Sequence, residues 1–114
     1  MIIKKSNMKK EIRRNMRGGE GEIEILHFVE QADMKNCRLM AELTIPVGGS
    51  IGDHPHENET EYFIMLEGRA RVLDNDEEKE FEAGDVSVTG GGARHSIVNT
   101  GNCPVKLVAV IITE

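Results

Sequence analysis

The sequence is poor in aromatic residues: its 114 residues include three Phe, one Tyr and no Trp. A folded core must therefore be built mainly from Ile, Val, Leu and Met side chains. Aromatic residues are also the side chains on which nucleic-acid bases usually stack. Their scarcity argues against nucleic-acid binding, and we expect no nucleic-acid partner.

Cysteines and long apolar segments are also scarce. Cys37 and Cys103 are far apart in the sequence, which excludes a structural zinc site built from neighbouring cysteines. No apolar run approaches the ~20 residues that a membrane-spanning helix needs, and the N-terminal residues do not resemble a signal peptide. We therefore expect a cytoplasmic protein with reduced cysteines and no membrane contact.

Positive charge is concentrated in the first 17 residues. This segment holds seven Lys or Arg and one acid, Glu11, a net charge of +6, whereas residues 18–114 hold seven basic and nineteen acidic residues, a net charge of −12. We interpret residues 1–17 as a basic N-terminal arm and residues 18–114 as one folded domain. Because the charges are complementary, the arm is expected to dock on its own domain or on a partner subunit, with Met1–Ile3 forming a strand.

Three of the four histidines fall in a pattern that predicts a metal site. His54 and His56 lie two residues apart, so their side chains project to the same face of an extended chain. Glu61 follows across a short loop at the start of one strand, and His95 begins another strand further along the chain. Imidazole and carboxylate suit first-row divalent metals, and four such ligands leave about two positions of an octahedral ion open for a further molecule.

The alternative is that the His-x-His pair is a surface accident or a hydrogen-bonded structural pair. Glycines recur in both histidine-containing segments, residues 48–68 and 84–99, and this joint pattern favours the metal site instead. The glycine triplet of residues 90–92 is not a phosphate-binding loop, because neither a helix start nor a lysine follows it. We interpret the triplet as a flexible turn before His95.

The two blocks resemble the two characteristic motifs of the cupin family. Residues 48–68 read GGSIGDHPHENETEYFIMLEG, and residues 84–99 read GDVSVTGGGARHSIVN. The resemblance implies an all-β fold, a cupin-type jelly-roll β-barrel over residues 18–114. It also implies that the metal ligands are His54, His56, Glu61 and His95. Gly90 departs from the pattern, since the family usually has proline there, and the loop before His95 is expected to be less rigid.

The rest of the sequence has the pattern of short strands separated by turns. Apolar and polar residues alternate over residues 22–27 and 38–45, which predicts half-buried strands. The segment Val105–Thr113 is almost wholly apolar after Lys106, which predicts burial on both faces. Three residues share the parity of the predicted ligands and should line a largely apolar pocket beside the metal: Phe63, Met65 and Ile97.

Two further residues have alternative interpretations. His27 shares the parity of the inward-facing isoleucines on its strand, and is either a structural histidine bonded to the backbone or a pocket residue near the substrate. Arg94 beside His95 is either solvated or attracts an anion at the barrel mouth. Tyr62 has outward parity, so no catalytic residue and no general acid or base beyond the metal ligands is identified.

Two classes of function remain open from the sequence. In both, one divalent transition metal per chain (Mn, Fe, Ni, Zn or Cu) binds a small organic metabolite. The first class is a metal-dependent enzyme, and the resemblance implies a dioxygenase, decarboxylase, isomerase or lyase. The second is a non-catalytic metal-dependent binding or sensor module; a barrel whose metal only joins strands is a weaker third class. The apolar segment Val105–Thr113 and the basic arm also predict a homodimer.

Overall fold

The computed structural model describes residues 1–114 and consists mainly of β-strands. The ten strands are β1 (Lys9–Arg14), β2 (Glu22–His27), β3 (Cys37–Ile45), β4 (Ser50–Pro55), β5 (Glu59–Glu67), β6 (Arg69–Asp74), β7 (Glu77–Glu82), β8 (Val86–Gly90), β9 (Arg94–Asn99) and β10 (Val105–Thr113). Its helical segments are three 3₁₀ turns of three residues each: Lys5–Asn7, Met16–Gly18 and Gln31–Asp33. A helix long and apolar enough to cross a membrane is absent. The all-β class predicted from the sequence is confirmed.

The strands form two antiparallel sheets. The larger has six strands in the order β1-β2-β3-β10-β5-β8, and the smaller has four in the order β4-β9-β6-β7. Inward-facing residues of both sheets form one core cluster, which is aliphatic apart from Phe63 and Phe81. Two antiparallel sheets with this non-sequential strand order and a shared core are the jelly roll that the sequence predicts.

Strand β10 lies in the centre of the larger sheet, between β3 and β5. Its inward-facing residues are buried: Val105, Leu107, Ala109 and Ile111. The alternate residues point outward, where Val108 and Val110 are half-buried and Ile112 is 41% exposed. Within the single chain the outer face of this strand is only partly covered, so the predicted burial on both faces would require a second subunit.

This uncovered surface extends across three strands. Cross-strand pairs join β10 to β5 and β5 to β8, and they place apolar residues side by side on the outside. We call this surface the outer apolar face and define it by six residues: Tyr62, Ile64, Val86, Val88, Val108 and Val110. Val86 and Val88 are more than half exposed.

The basic N-terminal segment folds back on its own domain. Strand β1 pairs antiparallel with β2 along its whole length, so it becomes an edge strand of the larger sheet. Two ion pairs join the outer faces of these strands, Lys10 to Glu24 at 2.9 Å and Arg14 to Glu22 at 3.0 Å. Exposed pairs of this kind contribute little to stability, so backbone pairing with β2 is what holds the segment.

The strand predicted at Met1–Ile3 does not form. Met1 is 95% exposed and Ile2 is 84% exposed. Pairing begins at Lys9, which lies opposite His27, the last residue of β2. The residues before Lys9 therefore have no strand beside them with which to pair.

A tight backbone contact joins the turn after β1 to β4. The turn Met16–Gly18 and the following Gly19 pack against the start of β4, where two glycines leave no room for a side chain. A Cβ on Gly19 would lie 2.2 Å from the Ser50 carbonyl oxygen, and a Cβ on Gly52 would lie 2.0 Å from the Arg17 carbonyl oxygen. These two glycines allow the turn to lie directly on the strand that carries His54.

We predict that Gly19→Ala destabilises the protein, because the new methyl group would overlap the Ser50 carbonyl oxygen. Overpacking of this kind typically costs about 1–3 kcal/mol, measurable as a lower midpoint in urea unfolding. Gly101→Ala is the matched control, since its Cβ would meet no atom closer than 3.6 Å and its φ is not positive. Equal stability of the two variants would contradict the contact.

Candidate metal centre

Four buried side chains from separate parts of the chain meet inside the barrel. His54 lies near the end of β4, His56 just after it, Glu61 in β5 and His95 in β9. Each is at most 7% exposed. Their ligand atoms all lie within 4.8 Å of one another, so the structure brings together all four residues selected from the sequence.

The distances between these atoms suit one metal ion. The Nε2 atom of His95 is 3.1 Å from that of His54 and 3.0 Å from that of His56. The Oε1 atom of Glu61 is 3.0 Å from Nε2 of both His56 and His95. Ligands about 2.1 Å from a metal are about 3.0 Å apart at right angles and about 3.4 Å apart in a tetrahedron. The four separations fit the right angles of an octahedral ion better.

Hydrogen bonds on the opposite side of each ring orient the three imidazoles. Each Nδ1 atom donates to a different acceptor: His54 to the Gly52 carbonyl at 2.7 Å, His56 to Glu59 at 2.6 Å, and His95 to the Thr89 hydroxyl at 3.0 Å. A proton on Nδ1 leaves the lone pair of Nε2 directed at the centre. In that tautomer, three ring nitrogens and one carboxylate oxygen can bind a single cation.

Glu59 links this cluster to the protein surface. Its carboxylate accepts two hydrogen bonds from Arg38, both 2.7 Å long, in addition to the bond from His56. The hydrogen bonds from Arg38 are the main reason that the pKa of Glu59 falls to about 2, and His56 lowers it further. Glu59 therefore stays ionised and fixes the ring of His56. Sequence reasoning missed this residue, although its place three residues after His56 was the available signal.

Burial and hydrogen bonding also set the charge of the ligands themselves. Burial is the main cause of the lowered pKa of His54. Burial alone would raise the pKa of Glu61, but the bonds from His56 and His95 outweigh it and lower that pKa. Hydrogen bonding to Glu61 raises the pKa of His56. Glu61 is therefore an anion at neutral pH, and the proton on His56 is the one that a metal ion would displace.

The glycine triplet before His95 is held in place by the backbone of His56. The Gly92 amide donates to the His56 carbonyl at 2.9 Å, and the His56 amide donates to the Ala93 carbonyl at 3.0 Å. At Gly90, where cupins usually have proline, a Cβ would lie 2.4 Å from the Thr60 hydroxyl oxygen. Gly90 thus allows β8 to approach β5 closely, and the hydrogen bonds to His56 restrain the loop.

A cavity of about 310 Å³ opens beside the four residues. His54, His56, Glu61 and Phe63 form part of its lining. Of the other residues expected there, His27 lines the cavity, whereas Met65 and Ile97 are buried in the core cluster and do not. Eight of the 19 lining residues are hydrophobic. The expectation of a largely apolar pocket is therefore wrong.

Part of the polar lining comes from the N-terminal segment, which forms one wall of the cavity. Glu11 of β1 accepts a hydrogen bond of 2.5 Å from His27 Nε2 and lies 3.3 Å from Arg13. The bond from His27 is the main cause of the lowered pKa of Glu11. His27 is therefore half-buried in the cavity wall and paired with a carboxylate, not with the backbone.

Four other residues lie outside the cavity. Arg94 donates to Asp53 at 2.9 Å and is exposed, so it is not an anion site in the cavity. Tyr62 lies on the outer apolar face, as its parity predicts. Cys37 is buried, Cys103 is exposed, and both thiols are free.

Comparison with known proteins identifies the family. Residues 41–111 match the family model described as "Cupin domain". This match covers more than half of the chain, and the protein belongs to the cupin family.

Individual relatives extend over the whole chain. The "Oxalate-binding protein" of Thermotoga maritima is 42% identical over 113 residues, which are 98% of this chain and 93% of the relative. A crystal structure from the same organism, described as a "predicted oxalate decarboxylase", has a TM-score of 0.94 and 40% identity and covers both chains completely. The polyketide cyclase RemF of Streptomyces resistomycificus shares the fold, with a TM-score of 0.80 at 20% identity over 100% of this chain and 80% of that one.

Proposed function

We propose that this cupin binds one divalent transition metal and, beside it, a small organic metabolite. The metal ligands are His54, His56, Glu61 and His95. The observation that carries the proposal is the meeting of four buried ligand atoms, three imidazole nitrogens and one carboxylate oxygen, all within 4.8 Å of one another. This donor set suits Mn, Fe, Ni, Zn and Cu and does not select one of them. The metal supplies a Lewis acid and open coordination positions.

Oxalate is the ligand that we propose first. A relative 42% identical over 98% of this chain is named an oxalate-binding protein. A cavity of about 310 Å³ is ample for such a small dianion. Lys and Arg residues outnumber Glu residues by four to three in the cavity lining, which favours an anionic ligand such as oxalate.

We predict that His56→Ala loses tight metal binding, because only three of the four ligands remain. We expect the metal affinity to fall by more than ~100-fold, beyond the loss typical of residues that only support a ligand. Isothermal titration and elemental analysis measure the change. His27→Ala is the matched control, since it removes a histidine of the same cavity that is not among the four ligands.

Thermal unfolding provides a second measurement of the same site. The ligands come from several strands, so metal binds the folded state and should raise the melting temperature of the wild type by mass action. The His56→Ala protein should show no such rise. If it retains one metal per chain at wild-type affinity, the ligand assignment is wrong.

A second candidate function is decarboxylation, which one observation favours. Glu11 and His27 line the same cavity as three of the proposed metal ligands, and they supply a proton-transfer pair that the sequence analysis did not identify. In this alternative, the pair delivers a proton to the carbon that loses CO₂, so oxalate and one proton yield formate and CO₂. The relative described as a predicted oxalate decarboxylase agrees with this chemistry.

One experiment distinguishes the two functions. We expect the metal-loaded protein to bind one oxalate per chain by calorimetry, and the metal-free protein to bind none measurably. We expect no formate in the same mixture by NMR. Formate production that Glu11→Gln abolishes would instead establish the enzyme, and absence of oxalate binding would exclude both.

We also propose that the chain is a homodimer joined through the outer apolar face. Val86 and Val88 are more than half exposed in the single chain, and the face continues over β5 and β10. Contiguous exposed apolar residues of this kind are typical of subunit interfaces. The basic arm is paired with its own β2, so the apolar face is the better candidate for the contact.

We predict a mass of twice 12.7 kDa in light scattering at micromolar concentration. Val88→Lys should shift the mass towards that of a single chain, because the interface would have to bury a charge. Val47→Lys is the control: Val47 is 57% exposed, nearly the same as Val88 at 58%, but lies in the turn after β3. A wild-type mass of 12.7 kDa would overturn the proposal.

A further inference from the structure

Four basic and three acidic residues line the cavity, whereas the chain as a whole has a net charge of −6. Its cationic lining residues are Lys9, Arg13, Arg17 and Arg38. Two of the three arginines already have carboxylate partners: Arg13 lies 3.3 Å from Glu11, and Arg38 lies 2.7 Å from Glu59. Arg17 forms no ion pair with any residue of the chain, so it is the arginine of the cavity that is free to bind an anionic ligand.

The backbone holds Arg17 in an unusual conformation. Its φ of 55° and ψ of 30° lie in the left-handed region, which residues with a side chain rarely adopt. Its carbonyl oxygen packs against Gly52, where any Cβ would lie 2.0 Å away. A strained residue persists only where its surroundings fix it, and such residues are concentrated at binding and active sites.

Arg17 is also close to the proposed metal ligands. Gly52, which contacts it, lies two residues before His54 and accepts the hydrogen bond from His54 Nδ1. Arg17, His54, His56 and Glu61 all line the one cavity. A small ligand bound at the metal centre would therefore share the cavity with Arg17.

We propose that Arg17 is a specificity-determining residue that binds a carboxylate of the ligand, so that the cavity selects small dicarboxylates. This inference rests on the proposed metal-dependent binding and names the class of ligand and the residue that selects it. The planar guanidinium matches a carboxylate with two parallel hydrogen bonds, which a lysine cannot provide. Lys9 also lacks a carboxylate partner, but it pairs with the far end of β2, away from the contact between the turn and β4.

The test uses the full-length, metal-loaded protein and two ligands of nearly equal size. Oxalate carries two carboxylates, and oxamate has a neutral amide in place of one of them. Arg17→Asn removes the charge while keeping a residue that tolerates the left-handed conformation. Arg17→Lys keeps the charge without the planar fork. Arg14→Gln is the control, because Arg14 lies on β1 but pairs with Glu22 outside the cavity.

We expect Arg17→Asn to weaken oxalate binding by at least ~10-fold, the effect of losing a charge-assisted pair, and to weaken oxamate binding less. Arg17→Lys should fall in between, and Arg14→Gln should match the wild type. Metal affinity should be unchanged in all three variants. The loss of preference for oxalate over oxamate is decisive, since a purely structural role for Arg17 would weaken both ligands equally.

The failures are distinguishable. A wild type that holds no metal overturns the proposed function, and a wild type that holds metal but neither ligand overturns the ligand proposal; the inference falls with either. If Arg17→Asn binds oxalate as tightly as the wild type does, only the role of Arg17 is overturned. The same holds if Arg17→Asn loses affinity equally for oxalate and oxamate.

Discussion

The rest of the structure depends on three imidazole nitrogens and one carboxylate oxygen lying about 3 Å apart in the buried interior. A divalent cation among them would accept the nitrogen lone pairs and balance the negative charge of Glu61. Each ring is turned inward by a bond from a different strand: β4 supplies the Gly52 carbonyl, β5 supplies Glu59 and β8 supplies Thr89. Both sheets must therefore be formed before the site exists.

The site has two parts, which are built from different segments of the chain. The inner part, the four ligands, is built from β4, β5, β9 and the loop after β4, which the family motifs cover. The outer wall includes β1 and the following turn, with Glu11 and Arg17. The N-terminal segment lies outside the residues matched by the family model. In the proposed roles, metal binding rests on the strands of the family motifs and ligand choice on the N-terminal segment.

The inner part could be predicted from the sequence because residue spacing and strand parity fix the positions of side chains that are close together in the chain. The spacing of His54, His56, Glu61 and His95 could be placed on strands, and strand parity indicated that Phe63 faces inward. Parity did not distinguish the cavity wall from the core beneath it, so Met65 and Ile97 were misplaced. Glu11 and Arg17 were missed because their positions follow from pairing with β2 and from a glycine contact about 35 residues away. The lone acid in a basic arm was the only signal for Glu11.

The position of β10 sets the order in which the chain can fold. Its two neighbours, β3 and β5, belong to the first two thirds of the sequence, yet no hydrogen bonds join them to each other. A nascent chain that has left the ribosome as far as Asn99 already contains all four proposed ligands, but β5 and its Glu61 are still unattached to β3. Closure of the larger sheet waits for Val105–Thr113, a late step dominated by long-range contacts. We therefore expect the metal centre to mature only after synthesis of the strand that contributes no ligand to it.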